Sequence, residues 1–414
     1  MMFLAMVSET AALRPTPATT ASITGQRLSQ LGFGLIVFSL MIDWSLLHAW
    51  SIANKGFYAS DWLTSYQAAE RVRAGSTPYG QAGAFLSAPT FLLLVRSMLF
   101  LGYPASRWLW SMASAVMLVG AGGLTVASLV PRPTGVPFIR GAILILAFTP
   151  TILLIPTSAN TTAEVVLGYA LALWCFTRNY EARGGAALAL TVLIKPHLAI
   201  LIFPLLVYKR RWRAARAYAG SVAAAGLLAL AVLGPGAFGG FFRILNSTES
   251  GANSLSLWVK DIPGLHAMFL QIWPGSALAS GVAYGLSGLL LLGLAWYWRG
   301  PWLSGQPQFL AGWAMLPLVD LLVVPYAHTD DLVLLIIPAI VLCGFLANPI
   351  TRPGMRRWIL PILLALYLSP TLVAYFRLHF VAPAMLAALV VLWWLAPPVQ
   401  PGSPPAYARS GSSV

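Results

Sequence analysis

The segment "ALASGVAYGLSGLLLLGLAWYW", residues 277–298, is almost entirely apolar and contains no charged side chain. An α-helix rises 1.5 Å per residue, so about 20 apolar residues cross a hydrocarbon core about 30 Å thick. The length and composition of this segment therefore predict a transmembrane helix. Runs of similar length recur along the whole chain, and they decide the fold class.

The composition of the chain excludes an ordinary soluble domain. Of 414 residues, 58% are hydrophobic and only 9% are charged, whereas soluble domains average about 25% charged residues. The apolar runs are continuous and do not alternate, which favours helices over a barrel. We predict an all-α, polytopic transmembrane protein with about 10–13 membrane segments, some of them re-entrant. Cys175 and Cys343 lie inside apolar runs and indicate neither a disulfide framework nor a metal site.

The chain is strongly basic, with a formal net charge of +14. No long basic tract is present, so this excess indicates cytoplasmic loops and attraction to anionic lipid, and no nucleic-acid partner is expected. A basic lining for the phosphate of an anionic lipid would agree with the same excess of charge.

The organisation of the chain follows from its apolar runs. We expect a disordered cytoplasmic N-terminus over residues 1–30, one integral-membrane domain over 31–396, and a disordered tail over 397–414. The candidate membrane segments are 31–50, 86–102, 107–130, 141–156, 161–177, 186–207, 217–235, 277–298, 309–326, 331–347, 358–375 and 380–396.

Basic loops predict the orientation of these segments. "YKRRWRAAR" (208–216) and "NPITRPGMRRW" (348–358) are the densest basic stretches, so both are expected to be cytoplasmic. Residues 61–87 and 327–331 then lie outside. Between residues 86 and 207 two topologies remain open: five spans, or fewer spans with 86–102 and 186–207 re-entrant. We favour the re-entrant arrangement, because it places all four arginines between residues 132 and 183 on the cytoplasmic side.

The first polar stretch within this apolar chain is "DWLTSYQAAERVRAGSTPYG", residues 61–80. Trp62, Tyr66 and Ala69 recur at helical spacing, so a short amphipathic helix is expected here, suited to lie on the outer leaflet. The "GSTPY" sequence predicts a turn that ends this helix. Asp61 is a good N-cap residue, but capping alone does not explain a carboxylate held at the membrane surface.

The second polar stretch is "LIKPHLAI", residues 193–200, in which Lys195 lies near the centre of an apolar run. Placing an ionisable group inside a membrane segment costs free energy, so Lys195 is a candidate functional residue by default. Pro196 removes a backbone donor and is expected to break the helix. A lysine that snorkels to the surface is the structural alternative; a fixed cation at a helix break that binds a phosphate is the functional one.

Two further polar stretches are expected on the outer side. "PYAHTDDLVLL" (325–335) places Tyr326, His328, Asp330 and Asp331 in a short loop, where an aspartate could also cap the next helix. His and Asp can bind a divalent metal, but their spacing here is not diagnostic. Glu164 follows in "TSANTTAE" (157–164), and the glycosylation-type sequence at residue 160 supports no inference.

Several of these motifs are similar to those of glycosyltransferase family 87. Residues 61–79 resemble the aspartate- and Pro-Tyr-containing first external loop of that family. "LIKPHLAILIFPLLVYKRRW" (193–212) resembles its lysine-proline segment and basic loop, and "VPYAHTDDLVLLIIPAIV" (324–341) resembles its late external loop. The resemblance covers about residues 30–350. It implies a multi-span enzyme of the GT-C class that uses a polyprenyl-phosphate-mannose donor.

The resemblance also implies roles for three residues. Asp61 matches the expected general base, Lys195 the lysine near the donor phosphate, and His328 a position that contacts phosphate or acceptor. The chain departs from the commoner pattern at His197 and at "SAPT" (87–90), which leaves the sugar and the acceptor open. The other candidate substrate-binding residues are Tyr66, Tyr79, Glu164, His197, Tyr326, Asp330 and Asp331.

We therefore expect a plasma-membrane hexosyltransferase of bacterial type, active on the non-cytoplasmic face. It would transfer a hexose, with mannose as the first candidate, from a polyprenyl-phosphate donor to a glycolipid or cell-envelope glycan, with inversion. No cofactor is expected, and divalent metal dependence stays open. The rival hypotheses are a secondary transporter of an anionic or lipid-linked substrate, whose polar groups should cluster near the midplane, and a non-catalytic lipid-binding scaffold.

Overall fold

The computed structural model describes residues 60–79, 87–129, 160–199, 201–250, 263–324, 327–347, 353–376 and 381–398. Within these ranges the chain is helical and contains no β-strand, which confirms the all-α prediction. The expected segments 31–50 and 141–156, the predicted disordered N-terminus, residues 399–414 of the predicted tail and candidate residue Tyr326 lie outside the described residues.

The described residues form a series of α-helices. They are α1 (Ser60–Arg73), α2 (Pro89–Ser97), α3 (Gly102–Leu129), α4 (Thr162–Thr177), α5 (Glu181–Ile194), α6 (Ile202–Tyr208), α7 (Trp212–Leu233), α8 (Pro235–Ser250), α9 (Leu265–Ile272), α10 (Ala277–Tyr297), α11 (Pro307–Val323), α12 (Ile336–Ala347), α13 (Pro353–Phe376) and α14 (Val381–Leu395). Three short 3₁₀ helices lie between them, at Leu99–Leu101, Pro196–Ala199 and Thr329–Leu335.

Three stretches of the described chain are long and apolar enough to cross a bilayer. They are Pro89–Leu129, which includes α2 and α3, then α7 and α10. Most of the side chains of α7 and α10 are not buried by protein, and Leu228 and Leu289 are among those exposed. Hydrocarbon is the solvent that such surfaces require. Helices α8 and α9 lie almost wholly between the predicted segments 217–235 and 277–298, where no membrane segment is predicted.

The most extensive helix packing joins successive pairs: α3 packs on α4, α4 on α5 and α5 on α7. Glycine permits the closest approach: a Cβ atom on Gly185 of α5 would lie 2.1 Å from the carbonyl oxygen of Ala214 in α7. Small residues at such crossings are typical of membrane helix packing. Tyr169, Phe176 and Trp313 are among the buried side chains of this main core.

One end of the bundle, which we call the basic end, is formed by three connections. Arg211 donates to Glu181 at 2.5 Å, and Lys209 donates to the carbonyl oxygen of Trp298 at 2.7 Å. The start of α5, the loop after α6 and the end of α10 therefore lie together. Arg178 donates to the carbonyl oxygen of Ala127 at 3.4 Å, so α3 also ends here.

Residues 181–208 enter the bundle and return to the same end, as expected for a re-entrant segment. The outward part is α5, and the return is made by a 3₁₀ turn and the short helix α6. Lys195 lies at the break between them. Helix α2 stays at the opposite end: Ala88 donates its backbone N–H to the carbonyl oxygen of Ile194 at 3.4 Å, and Arg96 reaches the carbonyl oxygen of Val232 at 3.3 Å.

The expected amphipathic helix is present as α1, and it ends near Gly75, whose φ of 77° is a turn conformation. Its apolar face packs on protein, which differs from the expectation that it lies on the leaflet. Trp62 is fully buried, stacks on Trp110 at 5.0 Å and donates to Ser106 Oγ at 3.1 Å. This packing fixes the position of α1 relative to α3.

Candidate functional site

A charged cluster lies at the end of the bundle opposite the basic end, and Lys195 is its cation. The Lys195 ammonium donates to Asp331 Oδ1 at 2.6 Å, to Thr162 Oγ1 at 2.8 Å and to Asn160 Oδ1 at 3.0 Å. Asp331 is fully buried, and the Lys195 side chain is 12% exposed. Three acceptors satisfy the three ammonium protons, so Lys195 is a partnered buried cation and does not snorkel to the surface.

Asn160 connects this ion pair to two further carboxylates. Its side-chain Nδ2 donates to Asp61 Oδ2 at 2.5 Å and to Asp330 Oδ2 at 3.0 Å, while its Oδ1 accepts from Lys195. One amide therefore holds two carboxylates on one side and the ammonium on the other. Asp61 and Asp330 are half-buried, whereas Asn160 is buried.

The cluster is built almost entirely from helix ends. Asp61 is in the first turn of α1 and Glu164 in the first turn of α4, where the helix dipole favours a negative charge. Lys195 is the residue that follows α5, where the dipole favours a cation. The backbone thus supports the sign of the charge at all three positions.

The carboxyl groups of the adjacent residues Asp330 and Asp331 have pKa shifts in opposite directions. Burial alone would raise the pKa of Asp331, but the Lys195 ammonium holds it below its usual range. Burial and the neighbouring Asp61 charge raise the pKa of Asp330 to about 7, and Lys195 and Asn160 only partly oppose this. The same cluster thus shifts the pKa of Asp331 downward and the pKa of Asp330 upward.

The two histidines and Glu164 surround the ion pair. The backbone N–H of His328 donates to Asp331 Oδ2 at 2.9 Å, which closes the first turn of the 3₁₀ helix. His197 is within electrostatic range of Lys195, Asp331 and His328, and its buried Nε2 has no partner among the described residues. Glu164 is also within electrostatic range of Lys195, and its buried carboxyl group interacts with its own backbone N–H.

The two tyrosine candidates lie in the smaller core beside α1. Tyr66 packs against Tyr103 at 5.6 Å and donates to the carbonyl oxygen of Leu99 at 3.5 Å. Tyr79 donates to the carbonyl oxygen of Ser87 at 3.1 Å. Both contacts support the fold around the site, and a substrate-binding role for either tyrosine stays a prediction.

The structure resolves the capping alternatives for the aspartates. Asp61 is the second residue of α1 and its side chain binds Asn160, so its carboxylate is committed to the cluster. Asp331 does accept the backbone N–H of His328, but it also forms the ion pair with Lys195. Asn160, the residue that joins these groups, was not a candidate, because the sequence there matched only a glycosylation pattern.

The profile of glycosyltransferase family 87 matches residues 85–325, which is more than half of the chain. The chain belongs to glycosyltransferase family 87. A search of curated proteins found no match. The resemblance inferred from the motifs is thereby confirmed at the level of the family, and the protein is a membrane glycosyltransferase.

The matched range includes only part of the charged cluster. Asn160, Glu164, Lys195 and His197 lie inside residues 85–325, whereas Asp61 and the 3₁₀ helix Thr329–Leu335 lie outside. The case for Asp61 therefore depends on geometry: a half-buried carboxylate held 2.5 Å from the amide that also binds Lys195. Three aspartates against one lysine make the cluster acidic, a composition suited to accept hydrogen bonds from sugar hydroxyl groups.

Proposed function

We propose that this family 87 glycosyltransferase transfers a hexose, with mannose as the first candidate, from a polyprenyl-phosphate donor to a hydroxyl group of a glycolipid or cell-envelope glycan. The observation that carries the proposal is the Asn160 bridge, which brings the Asp61 carboxylate and the Lys195 ammonium into one cluster at the ends of four chain segments. A base and a cation in one place are the two groups that this reaction requires.

Asp61 is the proposed general base. Its carboxylate would take the proton of the acceptor hydroxyl while that oxygen attacks the anomeric carbon and the bond to the phosphate breaks. One base and an in-line displacement give inversion at the sugar. The hydrogen bond from Asn160 fixes one oxygen of Asp61 and orients the other, which is the support expected for a positioned base.

For Lys195 to bind the donor phosphate, one of its present hydrogen bonds has to break. Its charge is matched by Asp331 and its three protons are taken in the structure, so a donor phosphate oxygen would bind Lys195 only by replacing one of these acceptors. The neutral oxygens of Asn160 and Thr162 are the weaker acceptors, because hydrogen bonds to an ionised carboxylate are stronger. His328 is proposed to assist at the same phosphate.

The non-cytoplasmic face is the proposed side of the reaction. The cluster lies at the end of the bundle opposite Lys209, Arg211 and their neighbouring arginines, and basic loops favour the cytoplasm. A polyprenyl donor would then enter from the outer leaflet, with its chain in lipid and its charged head at the cluster. A bacterial-type plasma membrane is the proposed location.

The test is sugar transfer by the purified enzyme in vesicles that contain a polyprenyl-phosphate-linked hexose and a glycolipid acceptor. Asp61→Asn should lower kcat by about 10²–10⁴-fold, the usual contribution of a positioned base. Glu70→Gln, on the same helix α1 and with a side chain that is 45% exposed, is the matched control and should retain wild-type rates. Near-normal transfer by Asp61→Asn would remove the base assignment.

Asn160 provides a second, independent test. Asn160→Leu keeps the branched shape of the side chain but leaves Asp61 and Asp330 with no shared donor, so their mutual repulsion should displace both. We expect transfer to fall by about 10²-fold, as for a misplacement of about 1 Å at a reacting group. Unchanged rates in a folded variant would show that the bridge does not organise the site.

A further inference from the structure

A buried carboxyl group lies outside the charged cluster, in the middle of the bundle. Asp320 is fully buried in α11, among apolar neighbours. Its Oδ2 lies 2.5 Å from Tyr169 Oη, and its Oδ1 has no hydrogen-bond partner among the described residues. No basic side chain within the described residues forms an ion pair with it, and an isolated ionised carboxylate is very costly in such surroundings.

The hydroxyl group of Tyr169 has two oxygen neighbours. It lies 2.5 Å from Asp320 Oδ2 and 3.0 Å from the carbonyl oxygen of Leu198. A phenol has only one proton to donate. If Asp320 were ionised, both neighbours would need that proton and one would be unsatisfied. A neutral Asp320 supplies the second proton, because its own O–H can donate to Tyr169 Oη.

We propose that Asp320 is a neutral carboxylic acid that positions Lys195 through Tyr169. Asp320 donates to Tyr169, Tyr169 donates to the carbonyl oxygen of Leu198, and the Leu198 N–H donates to the carbonyl oxygen of Lys195 at 3.1 Å. This chain of hydrogen bonds runs from the core to the helix break and holds the turn that presents the Lys195 ammonium to Asp331 and Asn160. The effect on catalysis rests on the proposed function.

The break needs such support because Pro196 interrupts the helix and leaves carbonyl groups without their intrahelical partners. Two of them are bound from α2: Thr90 Oγ1 donates to the carbonyl oxygen of Leu193, and the Ala88 N–H donates to that of Ile194. The carbonyl oxygen of Leu198 is bound from α4 by Tyr169. The turn is therefore held by hydrogen bonds from the start of α2 and from α4. The proposed hydrogen bond from Asp320 leaves the Tyr169 proton available for the contact from α4.

The experiment compares Asp320→Asn, Asp320→Leu and Tyr169→Phe in the full-length enzyme in vesicles. The amide of Asn donates a proton to Tyr169 as the neutral acid does, so this variant should retain wild-type kcat. Asp320→Leu and Tyr169→Phe should lower kcat by about 10²-fold, because Lys195 would shift relative to the reacting groups. A merely structural role predicts loss of folded protein with unchanged kcat per folded molecule.

A second readout does not require transferase activity. An amine-reactive reagent is applied to the folded variants, and labelling of Lys195 is measured by mass spectrometry relative to Lys209 at the basic end. Labelling of Lys195 should be low in the wild type and in Asp320→Asn, and higher in Asp320→Leu and Tyr169→Phe. If the wild type transfers no sugar, the proposed function fails, yet this pattern would still support the positioning of Lys195.

Two results would overturn the inference. Equal kcat values and equal Lys195 labelling in Asp320→Asn and Asp320→Leu would show that residue 320 donates no hydrogen bond that matters to the position of Lys195. Unchanged labelling of Lys195 in folded Asp320→Leu and Tyr169→Phe would show that the helix break keeps its position without the hydrogen-bond chain.

Discussion

Replacing Lys195 by Met should destabilise the protein because it separates a buried ion pair. Asp331 is fully buried and would keep two donors, Thr162 Oγ1 at 2.8 Å and the His328 N–H at 2.9 Å. Removing one partner of a buried pair costs about 3–5 kcal/mol. Since two hydrogen bonds to the carboxylate remain, we expect the lower end of this range, a loss of about 3 kcal/mol in unfolding free energy.

The double variant separates the charge from the other contacts of Lys195. In Lys195→Met with Asp331→Asn, no buried charge is left unpaired, and the amide oxygen of residue 331 still accepts from His328. The remaining loss should be about 1 kcal/mol, the typical net value of the hydrogen bonds removed. The second substitution should therefore recover about 2 kcal/mol, which is within the range measured for coupled neighbours.

Stability can be measured by SDS titration in mixed micelles, with the fluorescence of the 16 tryptophans as the signal. The deficit of Lys195→Met should shrink as the pH falls from about 8 to about 5, because the unpaired buried carboxyl binds a proton more tightly in the folded state. Wild-type stability of the single variant, or a double variant whose losses simply add, would refute the ion-pair reasoning.

Two further predictions concern the second carboxyl group and the helix packing. The folded-state pKa of Asp330, about 7, lies above its unfolded value, so its contribution to unfolding free energy is present below about pH 4 and is lost as pH rises to about 7. Asp330→Asn should therefore flatten the dependence of unfolding free energy on pH between about 4 and about 7. An unchanged pH profile in this variant would exclude the pKa shift. Gly185→Ala should lower the unfolding free energy by about 1–3 kcal/mol, because the new methyl group overpacks against Ala214. Gly226→Ala in α7 is the control, since a Cβ there meets no atom within 4 Å. Equal melting temperatures of the two variants would contradict the close approach.

The parts of the site that the sequence revealed share one physical property. Lys195 was recognisable because a charge inside an apolar run is costly, and Pro196 beside it predicted the break in the helix. Asp61 was recognisable as a carboxylate that follows the first membrane-length run. That these two residues lie in one cluster is a consequence of helix ends meeting at one face of the bundle.

Other parts needed the three-dimensional structure. Asn160 is neutral, so its position lacks the high free-energy cost of a buried charge that would mark it in the sequence. Its role depends on three partners that are distant in sequence. The choice of Asp331 over its neighbour Asp330 as the partner of Lys195 is decided by the direction of each side chain in a 3₁₀ turn. Asp320 is a different case: it lies inside the predicted run 309–326, so the rule applied to Lys195 would have identified it.

The elements missed by the sequence have a similar explanation. Helices α8 and α9 lie in a region rich in Gly, Pro and Ser, residues that normally mark loops. The apolar face of α1 was recognised, but periodicity alone does not distinguish a face that meets lipid from one that meets other helices.

The charged cluster draws its members from residues 61, 160, 195 and 330–331, which enter the membrane in that order during synthesis. Until the last of them has left the ribosome, the lysine has no counter-ion and the amide lacks one of its carboxylates. On the proposed function, the partly made protein therefore contains an incomplete cluster, and transfer is not expected to begin while the chain is still being inserted. Any shortened form that stops before residue 331 should be inert even if every helix before that point is correctly placed.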